Sequence, residues 1–253
     1  EAPTEADISF VSTGAEGLDS MLGGGLVRGT TTIVAGSTGV GKTVFGLQFL
    51  MEGAARGEQC LLVSFEQTVD ELRRMAASLG MPVDSIAEGG RVAVYHDGDR
   101  GRPLGFGIVA VEQLLRSLRP QRVVVDSISA LAKTPGQAQP VAADIAALVS
   151  LLCAGSATVV ICDETPGLVG DFEITGGVQV SSLADNIIIM RYVELGSEMR
   201  RAVSVLKARY VDHDKEIREY AIGPGGIELR SKFDIATGLL RGSPVRRVVD
   251  DFF

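Results

Sequence analysis

Apolar side chains in this chain come in short, mostly β-branched bursts, separated by longer stretches in which they recur every three or four positions. The first burst, Thr31 to Ala35, runs into a glycine-rich octet. Apolar residues then return at Val44, Phe45, Leu47, Leu50 and Met51, the spacing of one helical face ended by Gly57. Cys60 to Phe65 reads as the next buried strand. Thr68 with Glu71 forms a capping box that opens a helix carrying Leu72, Met75 and Leu79. The alternation continues: strand Val92 to Tyr95, helix Ile108 to Leu118, strand Val123 to Val125 ending at Asp126, helix Val141 to Cys153, strand Thr158 to Cys162. Strands that are apolar throughout and alternate with helices predict a mainly parallel sheet covered on both faces, an α/β fold.

Beyond Cys162 the pattern changes. Asp163 to Gln179 holds Pro166 and glycines at 167, 170, 176 and 177 without helical periodicity, and reads as a long surface loop, of a length that is usually functional or mobile. Two β-rich runs follow, Asn186 to Val193 and Arg201 to Tyr210, joined through Gly196 and Ser197. They predict an antiparallel extension at one edge of the sheet. No repeat or composition shift marks a second domain, and 253 residues with 45% hydrophobic side chains suffice for one substantial core.

Charge and cysteines narrow the class. Thirty-two acidic against 24 basic residues give a formal charge of −8, which argues against a globally cationic nucleic-acid binder. Cys60, Cys153 and Cys162 have neither a metal-ligand spacing nor a disulfide framework and read as reduced core thiols of a cytoplasmic protein. The most apolar region, Ala142 to Ile161, is broken by Asp144 and Gly155 and falls short of the ~18 to 20 apolar residues of a membrane span. The chain opens on Glu1 without a basic-then-apolar leader, and is expected to be a processed protein or part of a longer one.

The octet Gly36-Ser37-Thr38-Gly39-Val40-Gly41-Lys42-Thr43 satisfies G-x-x-x-x-G-K-[ST] between a strand and a helix, the context a phosphate-binding loop needs. Its glycines let backbone N–H groups face the phosphates of ATP. Lys42 is placed to reach the β- and γ-phosphates, and Thr43 to ligate Mg²⁺. The remaining parts should lie at carboxyl ends of other strands. Asp126, after three valines, fits the aspartate that supports Mg²⁺. Glu66, after the strand ending at Phe65, is the candidate general base and a further candidate metal group, whereas Gln67 beside it carries no charge. Lys207 and Arg209, two apart in a strand pattern, share a face. They form either a solvated pair or cations that reach a phosphate on a neighbouring subunit.

These residues together resemble the RecA-like ATPases, and within them KaiC. The resemblance begins at Ser12-Thr13-Gly14-Ala15-Glu16-Gly17-Leu18-Asp19 and Gly23-Gly24-Gly25-Leu26. It continues through Phe65-Glu66-Gln67, Val125-Asp126-Ser127, Leu206-Lys207-Ala208-Arg209 and His213-Asp214-Lys215-Glu216-Ile217-Arg218-Glu219-Tyr220. It covers nearly the whole chain and is greater to the second of KaiC's two tandem domains, so the chain is expected to be one RecA-like domain, half of a two-domain protein. The resemblance implies a homo-hexameric ring with ATP between subunits, and Mg-ATPase, serine autokinase and autophosphatase activities. It also implies in-trans roles for Lys207 and Arg209 and a circadian or stress-signalling setting with a KaiB-like or other regulator. It assigns the phosphoacceptors to Ser181-Ser182, where the family typically has Ser-Thr. Gln67, where the family usually has a second glutamate, is the other departure. Two rival readings share the nucleotide site: a DNA-dependent RecA-like ATPase, and a nucleotide-gated scaffold with negligible turnover.

Overall fold

The computed structural model describes residues 8–86, 90–97, 104–132, 140–164, 184–195, 197–233, 236–237 and 245–246. In chain order the elements begin with β1 (Phe10–Val11), α1 (Glu16–Met21), β2 (Leu26–Val27), β3 (Thr31–Gly36), α2 (Lys42–Ala55), β4 (Cys60–Ser64) and α3 (Val69–Ser78). They continue with β5 (Val92–His96), α4 (Leu104–Leu118), β6 (Arg122–Asp126), α5 (Ile128–Ala132), α6 (Pro140–Cys153) and β7 (Thr158–Glu164). The last are β8 (Asn186–Leu195), β9 (Glu198–Ala208), β10 (Arg218–Gly223), β11 (Gly226–Lys232), β12 (Ala236–Thr237) and β13 (Val245–Arg246). One nine-stranded sheet runs β11-β10-β9-β8-β3-β7-β6-β4-β5. From β5 to β8 its neighbours are parallel, and from β8 to β11 antiparallel. The expected parallel sheet and antiparallel extension are both present.

The two faces of the sheet separate by residue parity, because successive side chains of a strand point to opposite sides. Val34, Leu62, Val124, Val160, Cys162 and Ile188 pack with Phe45, Leu47 and Leu50 of α2 and Leu72 of α3. Their neighbours Ile33, Leu61, Val123, Val125, Ile161 and Ile187 pack with Ile145, Leu148 and Leu152 of α6 and Val111 of α4. Strands buried on both sides show no polar alternation, which is why their apolar runs are continuous. The Thr68–Glu71 capping box forms as expected at the start of α3.

A buried cation fastens α2 to the sheet. Arg122, 1% exposed, donates to Ser12 O at 2.7 Å and Phe49 O at 2.9 Å, and pairs with Glu58. Its guanidinium lies 4.7 Å from the Phe49 ring centroid. Gly53 leaves room for it: a Cβ there would sit 2.5 Å from Arg122 Cδ.

Three expectations are corrected. β7 runs on through Asp163 and Glu164, two residues that the expected loop Asp163 to Gln179 included, and residues 165–183 lie outside the described set. β9 spans Glu198–Ala208 rather than 201–210, with a bulge that leaves Leu206 unpaired against β8. Arg209 therefore follows the strand, and its shared face with Lys207 is not a matter of strand alternation. The hairpin β10–β11 and the opening β1–α1–β2 are added; their short, half-exposed runs carry weak periodicity. Cys60, Cys153 and Cys162 are not joined in disulfides; Cys60 and Cys162 are buried and Cys153 is half-buried. Among the described residues no helix is long and apolar enough to cross a membrane.

Candidate nucleotide site

The octet 36–43 links β3 to α2 at the carboxyl edge of the parallel sheet, as its sequence predicts. Two of its glycines adopt left-handed backbone, Gly39 at φ 80° and Gly41 at φ 108°, which side-chain-bearing residues adopt only at a cost. Gly36 meets a different constraint, since a Cβ there would lie 2.1 Å from Met190 O of β8. Gly41 caps α2 without a side-chain hydrogen bond, so the first N–H groups of a 14-residue helix are offered outward, the arrangement that favours an anion.

Lys42 is 8% exposed and folds back over the loop, donating to Gly36 O at 2.8 Å and Ser37 O at 2.9 Å. Asp126, the last residue of β6, is 4% exposed. Burial, and then the Glu66 carboxylate, push its carboxyl upward, against the Thr43 hydroxyl and the Lys42 ammonium, which pull it down. A buried carboxylate disfavoured in this way, with a hydroxyl against it, is a donor set suited to a hard cation such as Mg²⁺. Among the described residues no cluster of three His, Cys, Asp or Glu could hold a metal by itself, so phosphate and water oxygens would complete any Mg²⁺ shell at Thr43 and Asp126.

Glu66 lies two residues past the end of β4 and is exposed at the mouth of the same crevice. Ser127 Oγ donates to its Oε1 at 3.5 Å and stands 2.9 Å from Ser129 Oγ, which accepts the Glu164 N–H at 3.1 Å. The Glu164 carboxylate accepts the Thr38 hydroxyl, closing a polar circuit from the candidate base to the loop. Gln67 also lines the crevice, its Oε1 buried without a hydrogen-bond partner.

Asp163, one residue before Glu164, is 1% exposed and neither carboxylate oxygen has a hydrogen-bond partner. Burial pushes its carboxyl up to about 6, although the Lys42 ammonium opposes the shift. Asp163, Glu164 and Ser129 join the site without having been expected from the sequence, and Ser127, part of the Val125-Asp126-Ser127 motif, gains a contact there that the motif alone does not assign. The available signal was the acidic pair Asp163-Glu164 at the end of a buried strand, which the reading assigned to a loop.

Lys207 and Arg209 do not line this crevice in their own chain. Lys207 Nζ donates to Ala184 O at 2.7 Å, and Arg209 Nη1 to Asp185 Oδ1 at 3.1 Å, so the two cations converge on the corner before β8. Desolvation, then the Arg209 charge, lower the Lys207 ammonium's pKa. Ser181 and Ser182 lie outside the described residues. A second cavity, edged by Arg116, Arg119, Val123 and Val159, opens at the amino ends of β6 and β7, away from all these groups.

Residues 11–233 match the ATPase family described as KaiC. The circadian clock protein KaiC3 of a Synechocystis strain is 34% identical over 235 residues, which is 93% of this chain and 46% of that protein. The circadian clock oscillator protein KaiC of Parathermosynechococcus lividus is 32% identical over 241 residues, 95% of this chain and 44% of that one. The chain thus spans just under half the length of these relatives. The crystal structure of a KaiC-like protein from the hyperthermophilic archaeon Pyrococcus horikoshii superposes with a TM-score of 0.78 at 26% identity, covering 88% of this chain and all of the other.

Proposed function

We propose a ring-forming Mg-ATPase with serine autokinase and autophosphatase activity for this chain, which belongs to the KaiC family of ATPases. The observation that carries the reading is the charge of the crevice. Glu66, Asp126 and Glu164 line it and Lys42 is the cation among them, while Lys207 and Arg209 stand outside it in the same chain. A transferring phosphoryl group spreads negative charge over its oxygens and needs cations from more than one direction. A homo-hexamer in which each subunit lends Lys207 and Arg209 to its neighbour's ATP supplies them, and a closed head-to-tail ring gives every interface the same complement.

In this reading the loop amides and Lys42 hold the β- and γ-phosphates, and Thr43 and Asp126 hold the Mg²⁺. When bound, that ion neutralises charge developing on the bridging oxygens. Glu66 takes the proton of an attacking water, or of the Ser181 or Ser182 hydroxyl. The attacking oxygen bonds to Pγ as the bond from Pγ to the β–γ bridging oxygen breaks, and ADP departs with that electron pair. The Ser127 hydroxyl donates to Glu66 and orients its carboxylate at the mouth of the crevice. A timing role is supported by two relatives named as clock proteins, and a KaiB-like or other signalling regulator belongs to the same proposal.

Incubation with γ-labelled ATP, followed by phosphosite mapping by mass spectrometry, tests both halves. Turnover with label on Ser181 or Ser182 is the expected result; turnover without label would remove the kinase half. Glu66→Gln should bind ATP and lose turnover, and unchanged turnover would take Glu66 out of the base role. Negligible turnover with ATP-dependent assembly by light scattering would point instead to a nucleotide-gated scaffold.

A further inference from the structure

A phosphate loop that turns its N–H groups inward must turn carbonyls outward, and an outward carbonyl away from water needs a donor. In this chain two outward carbonyls receive tyrosine hydroxyls from β8 and β10: that of buried Val40, and that of Gly39, which lies in an exposed turn. Tyr192 of β8 donates to Gly39 O at 2.7 Å, and Tyr220 of β10 donates to Val40 O at 2.6 Å. The contacts span 153 and 180 residues of sequence, so they belong to the tertiary fold and not to the loop's local geometry.

The surroundings of the two hydroxyls favour donation. Tyr220 is 2% exposed, and burial holds its phenol protonated far above neutral pH. Arg201 of β9 lies 5.3 Å from the centroid of the Tyr192 ring, and its Nη2 donates to the Tyr192 hydroxyl at 3.4 Å, polarising the O–H that Gly39 receives. Between them, Ile222 of β10 abuts Gly41, where a Cβ would lie 2.6 Å from its Cδ1. The carboxyl half of β8, beyond its parallel pairing with β3, and β10 of the antiparallel extension therefore hold the back of the loop.

We propose that Tyr192 and Tyr220 are positioning residues that preorganise the phosphate loop, so that binding a β-phosphate does not have to order it. The proposal rests on the nucleotide-site reading above. Without either hydroxyl, loop conformers that turn Gly39 O or Val40 O toward water gain population, and apparent affinity falls by the fraction of loop left competent. One net hydrogen bond corresponds to a loss of about three- to ten-fold, and because the two carbonyls are consecutive in one loop the double variant measures their coupling.

The test measures ADP and AMP dissociation constants for Tyr192→Phe, Tyr220→Phe and the double variant, with the exposed Tyr210→Phe as control. ADP carries the β-phosphate that the loop encloses, whereas AMP offers the loop its α-phosphate alone. The expected result is ADP affinity weakened about three- to ten-fold in each single variant, AMP affinity within two-fold of the parent, and kcat at saturating ATP little changed. Lower melting temperatures with an unaltered ADP-to-AMP ratio would overturn the proposal, as would equal losses for both nucleotides. Should Tyr220→Phe fail to fold, the half-buried Tyr192 carries the test alone. Failure of the parent chain to bind ADP would instead strike the nucleotide-site reading.

Discussion

Asp163→Asn isolates the energetic consequence of a buried, unpartnered carboxylate. Asp163 is 1% exposed, and burial raises its carboxyl from the ordinary 3.8 to about 6. A carboxyl whose folded-state pKa is raised binds its proton more tightly in the native state than in the unfolded one. Stability therefore falls as pH rises between the two values and stays low above them. A difference of about two pH units corresponds to ~3 kcal/mol of lost stability once the group is ionised in both states, of which ~2 kcal/mol develops between pH 4.5 and 8. Asparagine keeps the shape and cannot ionise. Urea unfolding of both nucleotide-free proteins, in chelator, across pH 4.5 to 8 should show Asp163→Asn gaining ~2 kcal/mol relative to the parent as pH rises. The difference between the two curves removes the other carboxylates, which titrate in both. Curves that stay parallel to within about 0.5 kcal/mol would refute the reasoning, and would mean that Lys42 or internal rearrangement satisfies the charge in solution.

Further expectations concern the buried cation, the loop and the proposed subunit interface. Arg122→Ala should cost ~3 to 5 kcal/mol in urea unfolding, because it strands Glu58 as well as the Ser12 and Phe49 carbonyl oxygens, while Arg28 at 3.1 Å offers Glu58 only a more exposed partner. Gly36→Ala should prevent stable folding or nucleotide binding, since its methyl would meet Met190 O at 2.1 Å; a variant with parental melting and ADP affinity would contradict the register of β3 against β8. Lys207→Ala/Arg209→Ala should lower kcat by ~10³-fold or more, as loss of in-trans cations does. Mixing that variant with Glu66→Gln subunits should recover part of the activity, because each supplies what the other lacks across an interface. No recovery in mixed assemblies would argue against the in-trans placement.

The parts of the fold and site legible in the sequence are those whose physics is local. The glycine positions and lysine of residues 36–43 declare a phosphate loop because backbone freedom and reach are properties of contiguous residues. Thr68 and Glu71 declare a helix start for the same reason. The continuous apolar runs around Val34, Val124 and Val160 declared a sheet covered on both faces, since a strand buried on both sides has no position left for a polar residue. Asp126 was found by the strand it ends. The β10–β11 hairpin was not, because its half-exposed residues satisfy neither template cleanly.

What the tertiary structure decided is which distant groups meet the loop. Asp163 and Glu164 came to the site because β7 inserts between β3 and β6 and runs two residues farther than its apolar core. Tyr192 and Tyr220 face the loop's outward carbonyls because β8 pairs with β3, and β10 follows it through β9. Nothing in the residues near 192 or 220 encodes that meeting: it depends on the register of non-adjacent strands, set by packing of the whole sheet. Sequence by itself thus determined the chemistry of the loop and the class of the fold. The packed sheet determined which carboxylates are buried beside that loop and which hydroxyls hold its back, since both depend on contacts made across more than a hundred residues of chain.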